Sequence, residues 1–380
     1  MALLIKERID YKMKNISIYD APVEINGLLS NYHKGHLWKV PEELFGKVND
    51  GIDIMGIRCT GGRIRFRTDS KNLHIRMILH SCTCDSNFTI IGSSACDVLR
   101  GRGIEAEYIG FAVPKAYGSL VAERDIKLPG IIDDYTIYLP RNEAVEDLEI
   151  SVDDDAQVLA PTPFTYKDPV IYYGSSVTEG CSATHPSCNF VAYTARWVDA
   201  DFINFGFSGS GMGEPSMAEF LGKQKMSAFV MDYDHNADNA AHLRKTHENF
   251  YKIIRKAQPD LPIIMQSMCD DSLKFEKMER RDIIRQTYRN AIAAGDENVY
   301  FIDGSETYGN VGRFACTIDM LHPNDIGYRL MSERLYPVLR ECLAKKYGVR
   351  PSIVVNESSS LSANINYKEV TNPTYTIDNK

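Results

Sequence analysis

The sequence has no excess of basic residues. Lys and Arg number 43 against 51 Asp and Glu, a formal net charge of −8, and no segment gathers the cations into a stripe. Proteins that grip nucleic acid neutralise phosphate with such a surplus, so nucleic acid is not an expected partner. No run reaches the roughly 18 apolar residues that a bilayer core demands, and no membrane association is expected. The opening residues MALLIKERIDYK place only five apolar side chains in a row before charges intervene, too few for a secretory leader. Cysteine is odd in number, nine in all, with no regular spacing. That argues against a disulfide framework and predicts reduced thiols in a cytoplasmic protein. Tryptophan is nearly missing: Trp38 and Trp197 are too few for a sugar-stacking platform, and Trp197, in a helical stretch, is expected in the core.

What remains is an ordinary globular composition, 44% hydrophobic and 25% charged over 380 residues. Such a chain holds two domains with full cores. Its apolar pattern changes near residue 160. From Gly61 to Val152 the period is two: Ile64 and Phe66 alternate with Arg63, Arg65 and Arg67, and Leu73, Ile75, Met77 and Leu79 continue the alternation. Tyr135, Ile137 and Leu139, then Leu148, Ile150 and Val152, complete it. Alternation broken by Gly, Asp and Asn predicts antiparallel strands with one buried face, and many short strands without a helical period predict a jelly-roll-like β-sandwich over 1–160. Residues 1–60 read as a lead-in with one or two strands packed on that domain.

Ala160-Pro161-Thr162-Pro163 reads as a linker, because each proline removes a donor and stiffens the chain. Beyond it, the apolar runs Val170–Tyr173, Phe202–Phe207, Ala228–Tyr233, Pro262–Gln266 and Val299–Ile302 alternate with amphipathic stretches such as His242–Ala257 and Lys277–Ala293. Buried-type strands separated by helices predict a three-layer α/β domain over 161–350 with a parallel sheet. Ile326–Leu343 is expected to close it, with Pro337 kinking or ending the regular helix. The polar tail 351–380 is either disordered or a returning edge strand.

Four short motifs fall where the carboxyl edge of that sheet should lie. Tyr173-Gly174-Ser175-Ser176 puts a serine on a strand-to-helix turn, beside free helix N–H groups; such a turn also serves as a plain helix cap. Asn204-Phe205-Gly206-Phe207-Ser208-Gly209 lets backbone N–H groups approach a ligand, or is a flexible loop. Asp234-His235-Asn236 offers an amide donor to developing negative charge, or an Asx turn. In Asp319-Met320-Leu321-His322 a carboxylate can fold back on an imidazole and fix its tautomer, or the segment is a surface turn. Together the four motifs make a much stronger case than any one alone.

Their order and residues resemble the SGNH hydrolases, also called the GDSL esterase family, over about 167–345. The closest likeness is to the branch whose first block reads Gly-Ser-Ser. The resemblance implies a flavodoxin-like hydrolase fold with Ser176 as nucleophile, His322 as base and Asp319 as its orienter. It also implies an oxyanion hole from the N–H groups of Ser176 and Gly209 and the amide of Asn236, each donor typically worth about 10²–10³ in rate. No metal or cofactor is required. Ser175 stands where many members carry a bracing Asp. His235 replaces a more usual glycine, an exchange expected to narrow the pocket.

A β-sandwich ahead of such a domain resembles bacterial carbohydrate esterases. That implies an O-acetyl esterase, and with no secretory leader expected a cytoplasmic one, whose substrate is an ester of a small molecule or of a xylan- or mannan-derived oligosaccharide. The alternatives are a general short-chain carboxylesterase or lipase-like acylhydrolase, and a non-catalytic glycan-binding protein. The complete Ser, Gly, Asn, Asp and His set argues against the last. Glu179, Asp234 and His235 are candidate substrate-lining residues, and Asp232 shares that reading. Cys82-Thr83-Cys84 with Cys96 lacks the second well-spaced pair of a zinc site. Cys181, Cys188 and His185 read as loop packing, although a Cys/His nucleophile there is conceivable. Asp325 is read as the cap of the closing helix.

Overall fold

In the computed structural model the alternating segments form two antiparallel sheets, and their pairing explains the alternation. The structure describes residues 12–29, 33, 35–83, 85–269, 275–349 and 369–370. The strands are β1 (Met13–Ile16), β2 (Glu24–Asn26), β3 (Arg63–Thr68), β4 (Asn72–Leu79), β5 (Cys96–Arg100), β6 (Glu107–Ala112), β7 (Val121–Lys127), β8 (Asp133–Tyr138), β9 (Val145–Asp153) and β10 (Val158–Leu159). One sheet runs β1-β9-β4-β7, the other β10-β3-β8-β5-β6 with β2 also on β3. Ile64 faces Ile137 and Phe66 faces Tyr135 across β3 and β8. Leu73, Ile75 and Met77 face Val152, Ile150 and Leu148 across β4 and β9. All of these side chains are buried in one cluster between the sheets, the packing expected of a β-sandwich.

The other face of β3 is not solvated. Arg63 lies over the Phe202 ring at 3.6 Å and pairs with Asp201, both in the second half of the chain. Two helices that no period in the sequence announces, α1 (Asp50–Gly56) and α2 (Ile90–Ser94), interrupt the strands. They are only 7 and 5 residues long, too short for a 3.6-residue period to show. The lead-in also departs from expectation. Ile18 and Val23 join the sandwich core, but Val40, Leu44, Ile52 and Met55 pack into the core of the parallel sheet.

That sheet comprises β11 (Tyr166–Gly174), β12 (Ala200–Gly206), β13 (Ala228–Asp232), β14 (Ile263–Gln266), β15 (Val299–Ile302) and β16 (Glu369–Val370), ordered β12-β11-β13-β14-β15-β16. The pairings are parallel, and the order matches the flavodoxin-like doubly wound pattern. Helices α3 (Ser176–Glu179), α4 (Phe190–Val198), α5 (Pro215–Gly222), α6 (Ala240–Ala257), α7 (Phe275–Ala293) and α8 (Asp325–Tyr347) connect the strands. On β11, Val170 and Tyr172 face a core shared with α4 and α8, and Ile171 and Tyr173 face one shared with α5, α6 and α7. A strand apolar on both faces belongs at the centre of a three-layer sandwich.

Two expectations for the closing helix need correction. It continues past Pro337 to Tyr347, because Leu335, Val338, Leu339 and Leu343 are fully buried beside the proline and that packing outweighs one lost backbone bond. Its cap is Asn324, whose side chain accepts from the N–H of Ile326 and Gly327. The Asp325 carboxylate instead takes the N–H and hydroxyl of Thr184 at 2.9 and 2.6 Å. Trp197 sits half-buried at the rim of the core, edge-on to Tyr336. In the polar tail, Glu369–Val370 adds an edge strand to β15; its other residues lie outside the described set, as do Cys84 and the opening residues 1–11. No helix among the described residues is long and apolar enough to cross a membrane.

Candidate active site

In a doubly wound sheet, ligands bind outside the carboxyl ends of the strands where the chain switches direction. Here that point is the end of β11, between β12 and β13. Gly174 ends the strand where a Cβ would collide with the Thr178 hydroxyl and the Asp232 carbonyl, so no larger residue fits. Ser175 then caps α3, its hydroxyl accepting from Val177 N–H at 3.2 Å. Ser176 is the first helical residue, so its N–H has no partner within the helix.

The structure brings Ser176, His322 and Asp319 together. Ser176 Oγ lies 2.9 Å from His322 Nε2, and His322 Nδ1 lies 2.7 Å from Asp319 Oδ2. The other Asp319 oxygen accepts the N–H groups of His322 and Leu321 at 2.7 and 3.1 Å. The turn between them holds Met320 at a left-handed φ of 68°, a conformation costly for a side-chain-bearing residue. Burial raises the Asp319 carboxyl, but the His322 and Leu321 hydrogen bonds outweigh it and hold the group below the ordinary carboxylate value. Asp319 therefore stays ionised opposite the ring nitrogen.

Gly209 and Asn236 are adjacent, yet their donors are spent on Asn236 Oδ1 and on the loop carbonyls. Gly209, at φ 67°, donates its N–H to Asn236 Oδ1 at 3.0 Å. The Asn236 amide donates to the carbonyls of Phe207 and Gly211 at 2.7 and 3.0 Å. Flipping the amide by half a turn would set donor against donor and acceptor against acceptor, so these bonds decide which end is oxygen and which nitrogen in the free protein. In this arrangement Asn236 pins the glycine loop.

Two of the candidate lining residues are not at the surface of the cleft. Glu179 is fully buried beneath the loop. Its carboxylate meets Arg58 Nη1 at 3.2 Å and Lys39 Nζ at 3.5 Å and accepts from the Ser208 hydroxyl and N–H. Burial raises its pKa, but Lys39, Arg58 and Arg141 outweigh that and bring it to about 2. Asp234 is likewise buried, its Oδ2 accepting from Met268 N–H at 3.0 Å. Asp232, also buried, takes the Thr178 hydroxyl at 3.0 Å. The sequence motif places these carboxylates near the cleft; packing turns them inward, where cations and donors compensate Glu179, whereas burial and then Asp234 hold Asp232 well above the ordinary carboxylate value. His235 does neighbour the His322 ring. Burial and then His322, Lys277 and Arg280 lower it to about 3, so it stands neutral, and its Nδ1 has no hydrogen-bond partner among the described residues.

One contributor carried no sequence signal. Asn87, on the loop after β4, crosses from the antiparallel domain and sets its amide nitrogen 3.3 Å from His322 Nδ1 and 3.5 Å from Asp319 Oδ2. Its position in a polar surface loop of the sandwich gave no hint of this.

Residues 167–340 match the family model described as GDSL-like Lipase/Acylhydrolase family, and residues 13–158 match the one described as the N-terminus of Esterase_SGNH_hydro-type. No curated protein matches the sequence. Among solved structures, the chain is similar to a protein described as a GDSL-like lipase from Bacteroides ovatus, with TM-score 0.78, 22% identity and coverage of 87% of this chain and 98% of that one. It is also similar to a salicylyl-acyltransferase from a tetracycline biosynthetic pathway, with TM-score 0.71, 20% identity and coverage of 89% and 98%. An acetyl xylan esterase from the rumen bacterium Butyrivibrio proteoclasticus gives TM-score 0.56, 14% identity and coverage of 88% and 99%.

Proposed function

Because the chain belongs to the GDSL-like lipase/acylhydrolase family through residues 167–340, as an SGNH hydrolase with an N-terminal domain, we propose that it is a serine esterase that removes O-acetyl and other short acyl groups from acetylated oligosaccharides of the xylan or mannan type. The observation that carries the reading is the hydrogen-bonded line Ser176–His322–Asp319 at the end of β11. Ser176 Oγ attacks the ester carbonyl while His322 Nε2 takes its proton. Asp319 keeps the Nδ1 proton in place and balances the imidazolium. The ester oxygen becomes an oxyanion beside the free Ser176 N–H. Gly209 N–H and the Asn236 amide join it on release from the loop partners that hold them in the free protein, at the cost of the hydrogen bonds they make there. His322 returns the proton to the leaving alcohol, and water then releases the acyl group by the same route.

The sugar part of the reading is supported by the fold likeness to an acetyl xylan esterase and by the approach of the antiparallel domain to the triad through Asn87. Pockets between domains are common sites for specificity. The eight described cysteines form no disulfide with one another, which suits the reducing compartment of a cytoplasmic enzyme.

A second reading, a carboxylesterase for longer acyl chains, is favoured by one observation. Phe314, Ile318 and Met320, beside Asp319 in sequence, are 80%, 54% and 66% exposed, an apolar rim of the kind that receives alkyl chains. Hydrolysis of para-nitrophenyl acetate, butyrate and octanoate, alongside acetate release from acetylated xylo- and manno-oligosaccharides, separates the two. The first reading expects acetate-selective turnover and free acetate from an oligosaccharide. Preference for octanoate overturns it in favour of the second.

A further inference from the structure

A second constellation of nucleophile, imidazole and carboxylate lies at the junction of the two domains, apart from Ser176. Cys188 and His185 belong to the loop between α3 and α4, where Cys188 ends a short 3-10 turn, Pro186–Cys188. Cys188 Sγ lies 3.2 Å from His185 Nε2, and His185 Nδ1 lies 2.7 Å from Oδ2 of Asp97 on β5. Asp97 is fully buried, and the same oxygen accepts Ser187 N–H at 2.8 Å. The sulfur also accepts the Tyr193 hydroxyl at 3.1 Å. Tyr108 on β6 stacks on the His185 ring at 4.5 Å. Among the eight described cysteines, seven are buried and Cys188 alone is partly exposed.

We propose that Cys188, held by His185, Asp97 and Tyr193, is a nucleophilic thiolate that reacts with hydroperoxides. The geometry gives the sulfur two donors and gives the imidazole a carboxylate on its far nitrogen, the arrangement that stabilises a thiolate–imidazolium pair. Burial lowers the His185 pKa, but its hydrogen bonds to Asp97 and Cys188 more than reverse this, to about 10. The charged and titratable groups around the pair are Asp97 from β5, Tyr108 from β6, Tyr193 and Arg196 from α4, and Asp325 from α8. Arg196 lies over the Tyr193 ring at 5.0 Å and adds positive charge on the thiolate side. The buried thiols Cys59, Cys96 and Cys342 are instead pushed up to about 12 by desolvation.

In the reaction, Cys188 Sγ attacks one peroxide oxygen. An S–O bond forms as the O–O bond breaks, and sulfur gives up two electrons to the peroxide. The departing oxygen, hydroxide from hydrogen peroxide or alkoxide from an organic hydroperoxide, takes the Nε2 proton of His185 and leaves as water or an alcohol, with a sulfenic acid on Cys188.

The test uses the full chain. Alkylation by iodoacetamide is followed at each cysteine by mass spectrometry from pH 5.5 to 9, and equimolar hydrogen peroxide is applied with dimedone to trap sulfenate. An ordinary thiol reacts about tenfold faster per pH unit until it ionises. Cys188 should instead vary by less than about threefold over that range and outpace every other cysteine by more than about tenfold at pH 6. It should also carry the dimedone adduct, and His185→Gln should restore the tenfold-per-unit rise. A wild-type profile that climbs like an ordinary thiol, or a Cys188 that does not label, overturns the thiolate whether or not the variant folds. A flat profile without a dimedone adduct overturns the hydroperoxide assignment.

Discussion

Replacing Glu179 by Gln should destabilise the protein and loosen the loop that carries Gly209. Glu179 lies fully buried among Lys39, Arg58 and Arg141, and it anchors Ser208 by two hydrogen bonds. Its carboxyl pKa falls from 4.5 to about 2, a drop that corresponds to about 3 kcal/mol of folded-state stability. Lys39 falls to about 8 because burial costs it more than Glu179 returns, so the cluster as a whole contributes less than that. Deleting the anion is nevertheless severe, because it strands buried cations, a change that costs roughly 3–5 kcal/mol. At roughly 2–4 °C per kcal/mol for a domain of this size, Tm at pH 7 should fall by roughly 6–20 °C. The pH dependence follows from the same shift. Between about pH 4.5 and 2 the unfolded chain binds a proton at this site and the folded chain does not, so wild-type stability falls as pH drops through that window. Glu179→Gln should lose that part of the acid sensitivity. Thermal unfolding by circular dichroism at pH 7 and pH 3.5 reads both effects. A Tm change below 2 °C at pH 7, with unchanged acid sensitivity, would refute the argument.

Three further outcomes follow from the site. Asp319→Asn should keep the fold but lower kcat by roughly 10³–10⁴ through the wrong imidazole tautomer, as measured with para-nitrophenyl acetate. Asn236→Ala removes three hydrogen bonds from the glycine loop together with the proposed oxyanion donor; kcat should fall by about 10²–10³ with little change in KM. Asn87→Leu should lower kcat/KM about fivefold, the equivalent of one hydrogen bond of roughly 1 kcal/mol, and an unchanged value would show that the antiparallel domain does not support the triad.

The parts of this architecture that the sequence made legible are those encoded locally. The alternation in β3, β4, β8 and β9 and the doubly apolar run of β11 each state their own burial, and the structure pairs them accordingly. Ser176 is also legible, because strand ends in a doubly wound sheet converge and it sits at the end of β11, and Asp319 and His322 are legible from their short spacing on the loop that leads into α8. What could not be read depends on partners distant in the chain. Glu179 looked like a cleft residue until Arg58, 121 residues away, and Lys39 supplied buried cations. Asn87 meets His322 across 235 residues. Val40 and Met55 look no different from sandwich residues, but pack under the parallel sheet. The Asn236 orientation is set by the carbonyls of Phe207 and Gly211, which no spacing rule reveals.

The central claim is that Ser176 is the reacting nucleophile and that His322 activates it. The most direct measurement is covalent labelling by a fluorophosphonate, with the adduct located by mass spectrometry and residual ester hydrolysis followed in parallel. Wild-type protein should carry one adduct, on Ser176, and lose activity in proportion. Ser176→Ala should carry none, and His322→Ala should label at least about 10³-fold more slowly. An adduct on another residue, or ester hydrolysis surviving in Ser176→Ala, would contradict the account.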